Sequence, residues 1–318
     1  MADAIPLRGL TEYRKVAAAA IAGGEIHQMP NGLAGYKSGL NAAAAGDYAG
    51  FETTGQVTVT KTSGVVILDG APLWWDHSAN SATPVPPLVT GDRDFYLGTA
   101  VGDAASAATT CVVALNQKPV YEIDFHRDGG DVAPVLTAGT PTIIQRGGSL
   151  DAAFSATAEA QKLDWLSKRS FPINSNWILE AVVEVVENAD ADVGDLNVGV
   201  ANATHASDAD SITESAFFHL DMGADLNLDA ESDDGTTEVA ATDTTIDWAV
   251  GTPIHLVIDG RDHTDIQMYV NGVLVLSSTT FTLAAGTGPL KALFHLEKSA
   301  NDSPGRVQLD MLRVRLQE

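Results

Sequence analysis

GAPLWWD (residues 70–76), DRDFYLG (residues 92–98) and CVVALN (residues 111–116) mark the part of the chain that decides the fold. Throughout residues 32–116, short apolar runs alternate with Gly, Pro, Asp and Asn, and the apolar residues do not recur at the helical period. Residues 56–60 (QVTVT) alternate strictly between polar and apolar side chains. The pattern predicts a domain of short β-strands joined by tight turns.

The order of these fragments resembles a known family. Together with residues 42–47 (AAAAGD) and 101–107 (VGDAASA), they resemble the small β-domain of tailed-phage capsid decoration proteins, also called head-cement proteins. The resemblance covers about residues 20–127, a third of the chain. It implies a small β-barrel or β-sandwich that binds the major capsid protein as a homotrimer. It also implies a place on the outer surface of the virion capsid after synthesis in the host cytoplasm.

Composition divides the chain into four parts. Residues 1–24 are predicted to be an N-terminal arm, and residues 25–127 the capsid-binding β-domain. Residues 128–149, rich in Gly and Pro, have the composition of a linker. Residues 150–318 form the second domain.

The clearest signal in the second domain is a β-hairpin in its C-terminal half. Residues 266–270 (IQMYV) and 273–276 (VLVL) flank Asn271 and Gly272, two residues that tolerate the positive φ of a type I′ turn. In residues 306–316 the apolar positions change phase, which predicts a β-bulge near Met311.

These segments, with residues 255–259 (HLVID), resemble the concanavalin-A-like or laminin-G-like jelly roll. The resemblance implies an all-β chain: a decoration domain followed by a jelly-roll β-sandwich. That sandwich serves lectins, glycosidases and spacers alike, so it defines a fold and leaves the function open.

The charge is strongly acidic and unevenly distributed. The net charge is −24, and residues 128–318 carry 30 Asp and Glu against 10 Lys and Arg. No Lys or Arg occurs from residue 170 to residue 260. Such a field repels phosphate and excludes nucleic acid as a partner. The acids are interpreted either as a solubilising surface or as ligands of a structural calcium ion in the jelly roll, without an assignable ligand set.

The sequence gives no membrane or secretion signal. The apolar run at residues 16–22 is too short to span a bilayer and lacks the layout of a signal peptide. No membrane partner is therefore expected. The single cysteine, Cys111, lies in a β-branched run and is interpreted as an inert core thiol.

Catalytic patterns are missing as well. Glu180 and Glu184 share a strand face but lie roughly 13 Å apart, too far for the carboxylate pair of a retaining glycosidase. No nucleophile elbow is present, and the eight histidines show no zinc-ligand spacing. His255 and His295 lie in apolar strands and are interpreted as satisfied core histidines. The chain is predicted to be a non-enzyme without a zinc site, and no metal ligands are assigned.

Five residues are candidates for a capsid or subunit interface. Arg8, Arg14 and Lys15 are basic residues of the arm, and Trp74 and Trp75 are adjacent on a predicted strand. Neighbouring strand residues point to opposite faces, so one Trp should fill the core. The other should be covered by a partner subunit, by the capsid or by the arm, three alternatives that the sequence leaves open.

A second function is also compatible with the jelly roll. A virion adhesin that binds host surface glycans would need an exposed aromatic ring beside an acid or amide on a loop. Asp247 and Trp248 are the candidate pair for such a site. The favoured function remains a capsid decoration protein that stabilises the shell.

Overall fold

A computed structural model of the chain describes residues 12–38, 41–87, 93–128, 135–136, 142–146, 149–188, 194–205, 208–223 and 226–317. The chain forms two compact units, Met1–Pro119 and Val120–Glu318. Both units are built of antiparallel strands in their described parts. Among the described residues, no helix has the length and apolar character needed to cross a membrane.

The first unit contains two sheets. Its strands are β1 (Glu12–Val16), β2 (Ile26–Gln28), β3 (Ala34–Lys37), β4 (Tyr48–Glu52), β5 (Gln56–Thr60), β6 (Pro72–Asp76), β7 (Ser81–Thr83), β8 (Phe95–Ala100) and β9 (Thr110–Leu115). One sheet has the order β1-β4-β3-β2 and the other the order β5-β9-β8-β6-β7. The predicted small β-domain is confirmed.

One polar side chain joins the two sheets of the first unit. Asn116 follows β9 in a left-handed conformation with φ 57°. Its Oδ1 accepts a hydrogen bond from the Ala34 backbone N at 2.8 Å, and its Nδ2 donates to the carbonyls of Ala34 and Thr53 at 2.9 and 2.7 Å. One amide thus provides a hydrogen-bond partner for three backbone groups.

The described part of the predicted arm begins with a strand, β1. β1 pairs with β4 from Glu12↔Glu52 to Val16↔Tyr48, and the Ala17 N donates to the Asp47 carbonyl at 2.9 Å. The pairing satisfies backbone groups that a detached arm would leave to water. Arg8 lies outside the described residues.

The division of the chain also differs from the sequence-based boundaries. Ile123 pairs with Val314, so residues 121–125 join the second unit and not the first. Within the expected linker, two described segments, Val135–Leu136 and Thr142–Arg146, are strands of the second unit. The backbone of these Gly-rich and Pro-rich residues can still enter a ladder wherever two or more β-branched or apolar residues occur together.

The second unit is a two-sheet sandwich. Its elements are β10 (Ile123–Asp124), α1 (Phe125–Asp128), β11 (Val135–Leu136), β12 (Thr142–Arg146), β13 (Ser149–Ala153), β14 (Glu159–Leu166), β15 (Phe171–Pro172), β16 (Asn176–Glu187), β17 (Gly194–Ala201), a 3₁₀ turn (Ala209–Ser211), β18 (Ser215–Met222), β19 (Asn227–Asp233), β20 (Glu238–Asp247), β21 (Ile254–Gly260), β22 (Gln267–Val270), β23 (Val273–Val275), β24 (Pro289–Asn301) and β25 (Arg306–Gln317). One sheet has the order β12-β13-β25-β16-β21-β22-β23, with β10 beside β25. The other has the order β11-β14-β24-β17-β18-β19-β20, with β15 beside β24.

Alternation of side chains places the core between these sheets. On β16, Trp177, Leu179 and Ala181 point inward; on β24, Ala292 and Phe294 meet them in one hydrophobic cluster. Successive strand residues face opposite sides, so the intervening positions form the outer faces of the sheets. The second unit is therefore the jelly-roll β-sandwich that the sequence predicted.

Two local predictions in this unit are confirmed. Asn271 and Gly272 have φ 48° and 77° and connect β22 to β23 as a tight hairpin. On β25, Met311 pairs with Val182 whereas Leu309 pairs with Val183, so the bulge adds one residue next to Met311.

We expect Asn116→Ala to lower the free energy of unfolding of the first unit by about 2 kcal/mol, because three backbone groups lose their partner. Thermal or urea unfolding measures the change. Asn80→Ala is the matched control: Asn80 also has a positive φ, 49°, but no side-chain hydrogen bond to another described residue. An equal loss in both variants would assign the effect to backbone conformation and not to the three bonds.

Candidate functional site

The first unit contains a groove of about 670 Å³ that combines cationic and aromatic side chains. Lys15 and Arg93 line it, together with the imidazoles of His27 and His77. Trp75 and Phe95, neighbours on the paired strands β6 and β8, form its apolar floor. We call this site the basic groove.

Strand β1 explains how one predicted basic residue reaches the groove and the other does not. Lys15 and Arg14 are adjacent, so their side chains leave β1 on opposite faces. Lys15 lines the basic groove. Arg14 is exposed on the other face, where Val16 and Tyr48 are also exposed, by 50% and 75%.

The two tryptophans divide as the alternation predicted. Trp75 is buried in the core and contributes to the groove floor. Trp74 lies on the opposite face, half-buried, with its ring edge-to-face against Tyr96 at a centroid distance of 5.9 Å. Tyr96 therefore provides a cover within the unit that the sequence had not identified.

One acid in the groove is already engaged. The Glu25 carboxylate lies 2.9 Å from His27 Nε2 and accepts a hydrogen bond from the Ala22 backbone N at 3.0 Å. These contacts, chiefly the one with His27, lower the pKa of Glu25 despite partial burial. Lys15 and Arg93 make no ion pair with another described residue. The groove thus offers positive charge to an incoming acidic group.

The candidate glycan pair of the second unit does not form a binding surface. Trp248 is 4% exposed, packs in the sandwich core and donates its indole N–H to the Thr252 carbonyl at 3.0 Å. Asp247 is exposed at the end of β20. The prediction was wrong for Trp248, because the alternation of β20 continues into the residue that follows the strand: Asp247 is exposed and the Trp248 ring is buried in the core.

A polar cluster occupies the outer face of the second sheet instead. His219 on β18 is 5% exposed, and its Nε2 lies 2.9 Å from Asp195 and 3.3 Å from Asp221. Its Nδ1 lies 3.3 Å from Asp210 and 3.8 Å from Glu231. We call these five residues the His219 cluster.

The electrostatics of the His219 cluster follow from its burial and its excess of acids. Burial disfavours the charged ring, but the carboxylates, Asp195 foremost, outweigh it and raise the pKa of His219 well above its usual range. Burial raises the pKa of Asp195 and of Glu231, because the one imidazole only partly compensates them. Two sets of three ligand atoms, Asp195–His219–Asp221 and Asp210–His219–Glu231, lie within 4.8 Å of one another and have the spacing to hold a metal ion.

A second histidine lies on the same sheet face. His295 on β24 places Nδ1 2.5 Å from Asp164 and Nε2 3.2 Å from Glu297, and Lys162 lies 3.0 Å from Asp164. Burial opposes the charged ring, but the contacts with Asp164 and Glu297 prevail and raise the pKa of His295. Its interpretation as a satisfied histidine is confirmed at Nδ1.

The opposite sheet buries an ion pair and a histidine. Glu180 of β16 and Arg315 of β25 form a salt bridge, with both residues at most 3% exposed. His255 lies next to them at 2% exposure, and neither ring nitrogen has a hydrogen-bond partner among the described residues. The interpretation of His255 as a satisfied histidine was wrong. Burial lowers its pKa to about 4, so the ring is neutral at pH 7.

Cys111 is buried in the first unit, as predicted. Burial raises the pKa of its thiol to about 11, against the nearby charge of Lys61. The thiolate is the nucleophilic form, so this cysteine is inert at neutral pH.

Sequence reasoning missed several residues of both sites. Arg93, His27 and His77 reach the basic groove from separate loops and strands, and no spacing links them to Lys15. The ligand atoms of the His219 cluster come from three strands and one turn, which is why no zinc-like spacing was visible. The signal that could have been detected in the sequence is a polar residue, His219, at an outward-facing position of the otherwise largely apolar strand β18.

Comparison with known proteins agrees with this organisation. Residues 8–115 match the family described as phage cement protein, and the matched residues lie within the first unit. The match begins before the region whose fragments suggested it and contains the whole lining of the basic groove. No curated protein matches the chain in sequence.

Solved structures resemble the chain in fold at low identity. The potassium-bound carbohydrate recognition domain of Emp46p has 11% identity and a TM-score of 0.42, covering 61% of this chain and 93% of that one. A Bacillus subtilis protein of unknown function with a galectin-like fold has 10% identity and a TM-score of 0.41, covering 58% and 89%. The alginate lyase AlgAT5 has 14% identity and a TM-score of 0.37, covering 56% and 82%. Binding and lyase activity are properties of those proteins.

The neutral His255 predicts a pH dependence of stability. A buried histidine whose pKa falls from 6.5 to about 4 stabilises the folded state fully above pH 6.5, and this contribution is lost as the pH falls toward 4. The loss should reach about 3 kcal/mol. The variant His255→Leu lacks the titrating ring and should not show this loss. As the pH falls from 6.5 to 4, the free energy of unfolding of the variant should therefore rise relative to that of wild type. Parallel pH profiles would contradict the assignment.

Proposed function

We propose that this protein is a capsid cement protein that binds the outer surface of the major capsid shell through its first unit. The observation that carries the proposal is the match of residues 8–115 to the phage cement family. The basic groove lies wholly within those residues and is the strongest candidate for the contact. The proposal places the protein on the virion and gives it a mechanical, non-enzymatic role.

The chemistry of the groove defines the surface that it would bind. Lys15 and Arg93 supply positive charge at the rim, and Trp75 and Phe95 supply an apolar floor. An acidic segment of the capsid protein with one apolar side chain would complement both features. The second unit carries most of the negative charge and would stay outside this contact, since it would repel the same acidic segment.

Stabilisation of the shell does not require tight binding at each groove. An oligomer that binds several capsid subunits at once gains effective concentration, so modest single-site affinities add up. We propose that the oligomer is a homotrimer on the three-fold and quasi-three-fold positions of the shell, where all copies make equivalent contacts. The exposed Tyr48 and Val16, side by side on β4 and β1, are a suitable subunit contact.

The residues that suggested a glycan-binding adhesin do not form a binding surface. Its single aromatic platform, Trp248, is in the core. Binding of host surface glycans is therefore not proposed for the jelly roll.

We expect the double variant Lys15→Glu/Arg93→Glu to bind undecorated capsids about 30-fold more weakly, because two attractive charges become repulsive at a cost of about 2 kcal/mol in total. Co-sedimentation of the full chain with capsids at several salt concentrations measures the affinity. Lys118→Glu, at an exposed lysine outside the groove lining, is the control and should bind as wild type. If the control and the double variant bind equally, the groove is not the contact.

Tyr48→Asp should convert a trimer into a monomer, because burying an exposed aromatic side chain contributes roughly 1.5–3 kcal/mol per subunit and a buried carboxylate reverses the gain. Light scattering should give three times the chain mass of 33.2 kDa for wild type and the chain mass for the variant. Val101→Asp, at another exposed apolar residue of the unit, should remain trimeric. A wild-type protein that is monomeric both in solution and on the shell would refute the trimer.

A further inference from the structure

The two nitrogens of His219 lie in different surroundings. Nε2 has a hydrogen-bond partner in Asp195, at 2.9 Å. Nδ1 has no hydrogen-bond partner among the described residues, although Asp210 and Glu231 lie 3.3 and 3.8 Å away. A carboxylate on Nε2 fixes the ring orientation and keeps a proton there, so that Nδ1 faces the other two acids.

A neighbouring amide supports the same location. Asn197 on β17 is 1% exposed, and its Nδ2 lies 2.9 Å from the Asp210 carboxylate and 3.2 Å from that of Glu231. Its Oδ1 is buried without a hydrogen-bond partner in the part of the chain that the structure describes. Buried side-chain oxygens and nitrogens are nearly always paired, so His219 Nδ1, which faces Asp210 and Glu231 without a hydrogen-bond partner among the described residues, indicates an absent third party; the unpaired Asn197 Oδ1 belongs to the amide beside the same two acids.

The spacing of the three ligand atoms fits a small cation. In a tetrahedral zinc site with bonds of about 2.0–2.1 Å, neighbouring ligand atoms lie about 3.3–3.4 Å apart. The distance from His219 Nδ1 to Asp210 is already 3.3 Å, and the distance to Glu231 exceeds this range by a few tenths of an ångström. The backbone positions of β18, β19 and the 3₁₀ turn hold these atoms near the required geometry.

We propose that Asp210, His219 and Glu231 bind one divalent transition-metal ion, with Asp195 as the carboxylate that orients the His219 ring. An imidazole together with two carboxylates selects zinc-like ions over Ca²⁺ and Mg²⁺, which prefer sites made of oxygen alone. Metal ligands must be deprotonated, so the ion takes the place of any proton on Nδ1, which leaves to solvent. Asn197 lies beside the ion and can bring its amide oxygen to it by rotation of the side-chain amide.

The ion would join parts of the chain that are distant in sequence. It would tie β18 and β19 to the turn at Ala209–Ser211, and through Asp195 to β17. The consequence is a more stable second unit when the metal is bound, since a ligand that binds only the folded state stabilises it.

The test uses the full chain, stripped with a chelator and dialysed against Zn²⁺. We expect one tightly bound Zn²⁺ per chain by elemental analysis and a rise in the unfolding temperature of the second unit. His219→Gln and Glu231→Gln should lose this ion and the rise. Asp195→Asn should bind Zn²⁺ roughly 10–100-fold more weakly, as is usual when a carboxylate behind a metal ligand is removed. Ca²⁺ at the same concentration should give no rise.

Glu238→Gln is the matched control, because Glu238 is exposed on β20 of the same sheet and its replacement removes the same charge. It should bind Zn²⁺ as wild type does. Should the ligand variants not fold, Co²⁺ bound to the wild-type protein gives a second measurement: X-ray absorption should show one imidazole in its coordination shell. No retained metal, a shell of oxygen alone, or equal Zn²⁺ binding by His219→Gln would overturn the proposal and leave a protonated His219 as the counter-charge of the cluster.

Discussion

The structure of the second unit depends on how it neutralises the carboxylates of strands that contain no Lys or Arg. Six consecutive strands, β16 to β21, lie in the region without Lys or Arg. The alternation of side chains directs the apolar residues of these strands to the core and places several acids on the outer faces of the sheets. Some of these acids, such as Glu180 and Glu231, are nevertheless buried. Strand order supplies the compensation: β25 brings Arg315 to Glu180 on β16. For β17, β18 and β19, which are not paired with β25, His219 is the one basic side chain in the strands themselves. The His219 cluster follows from this shortage.

The first unit is also built of antiparallel strands, but its core is small. Its strands are short, and a single side-chain amide, that of Asn116 after β9, binds backbone groups of Ala34 on β3 and of Thr53 after β4. In a unit with a small core, one large side chain can pack in the core and also form part of the surface. Trp75 fills the core and also forms part of the floor of the basic groove. A surface built on buried aromatic residues is well ordered before it binds, and it loses little conformational freedom on binding.

Much of the fold could be predicted from the sequence because it is encoded locally. The Asn271–Gly272 turn, the bulge beside Met311 and the inward position of one Trp of the adjacent pair all follow from a few neighbouring residues. The predicted domain boundary differs from the structure where strand pairing between distant residues determines it: Ile123 joins the second unit because it pairs with Val314, far along the chain. The sites were only half visible for the same reason. Lys15 and Trp75 were identified individually, but Arg93 reaches the groove from the segment before β8, and His219 meets carboxylates from three strands and a 3₁₀ turn.

A density map of heads decorated with the full chain, resolved to side chains, would show which unit contacts the capsid. We expect the first unit to lie against the shell, with Lys15 and Arg93 beside acidic side chains of the major capsid protein and the second unit outside the contact. A map in which the second unit forms the contact, or in which the basic groove faces solvent, would contradict this expectation.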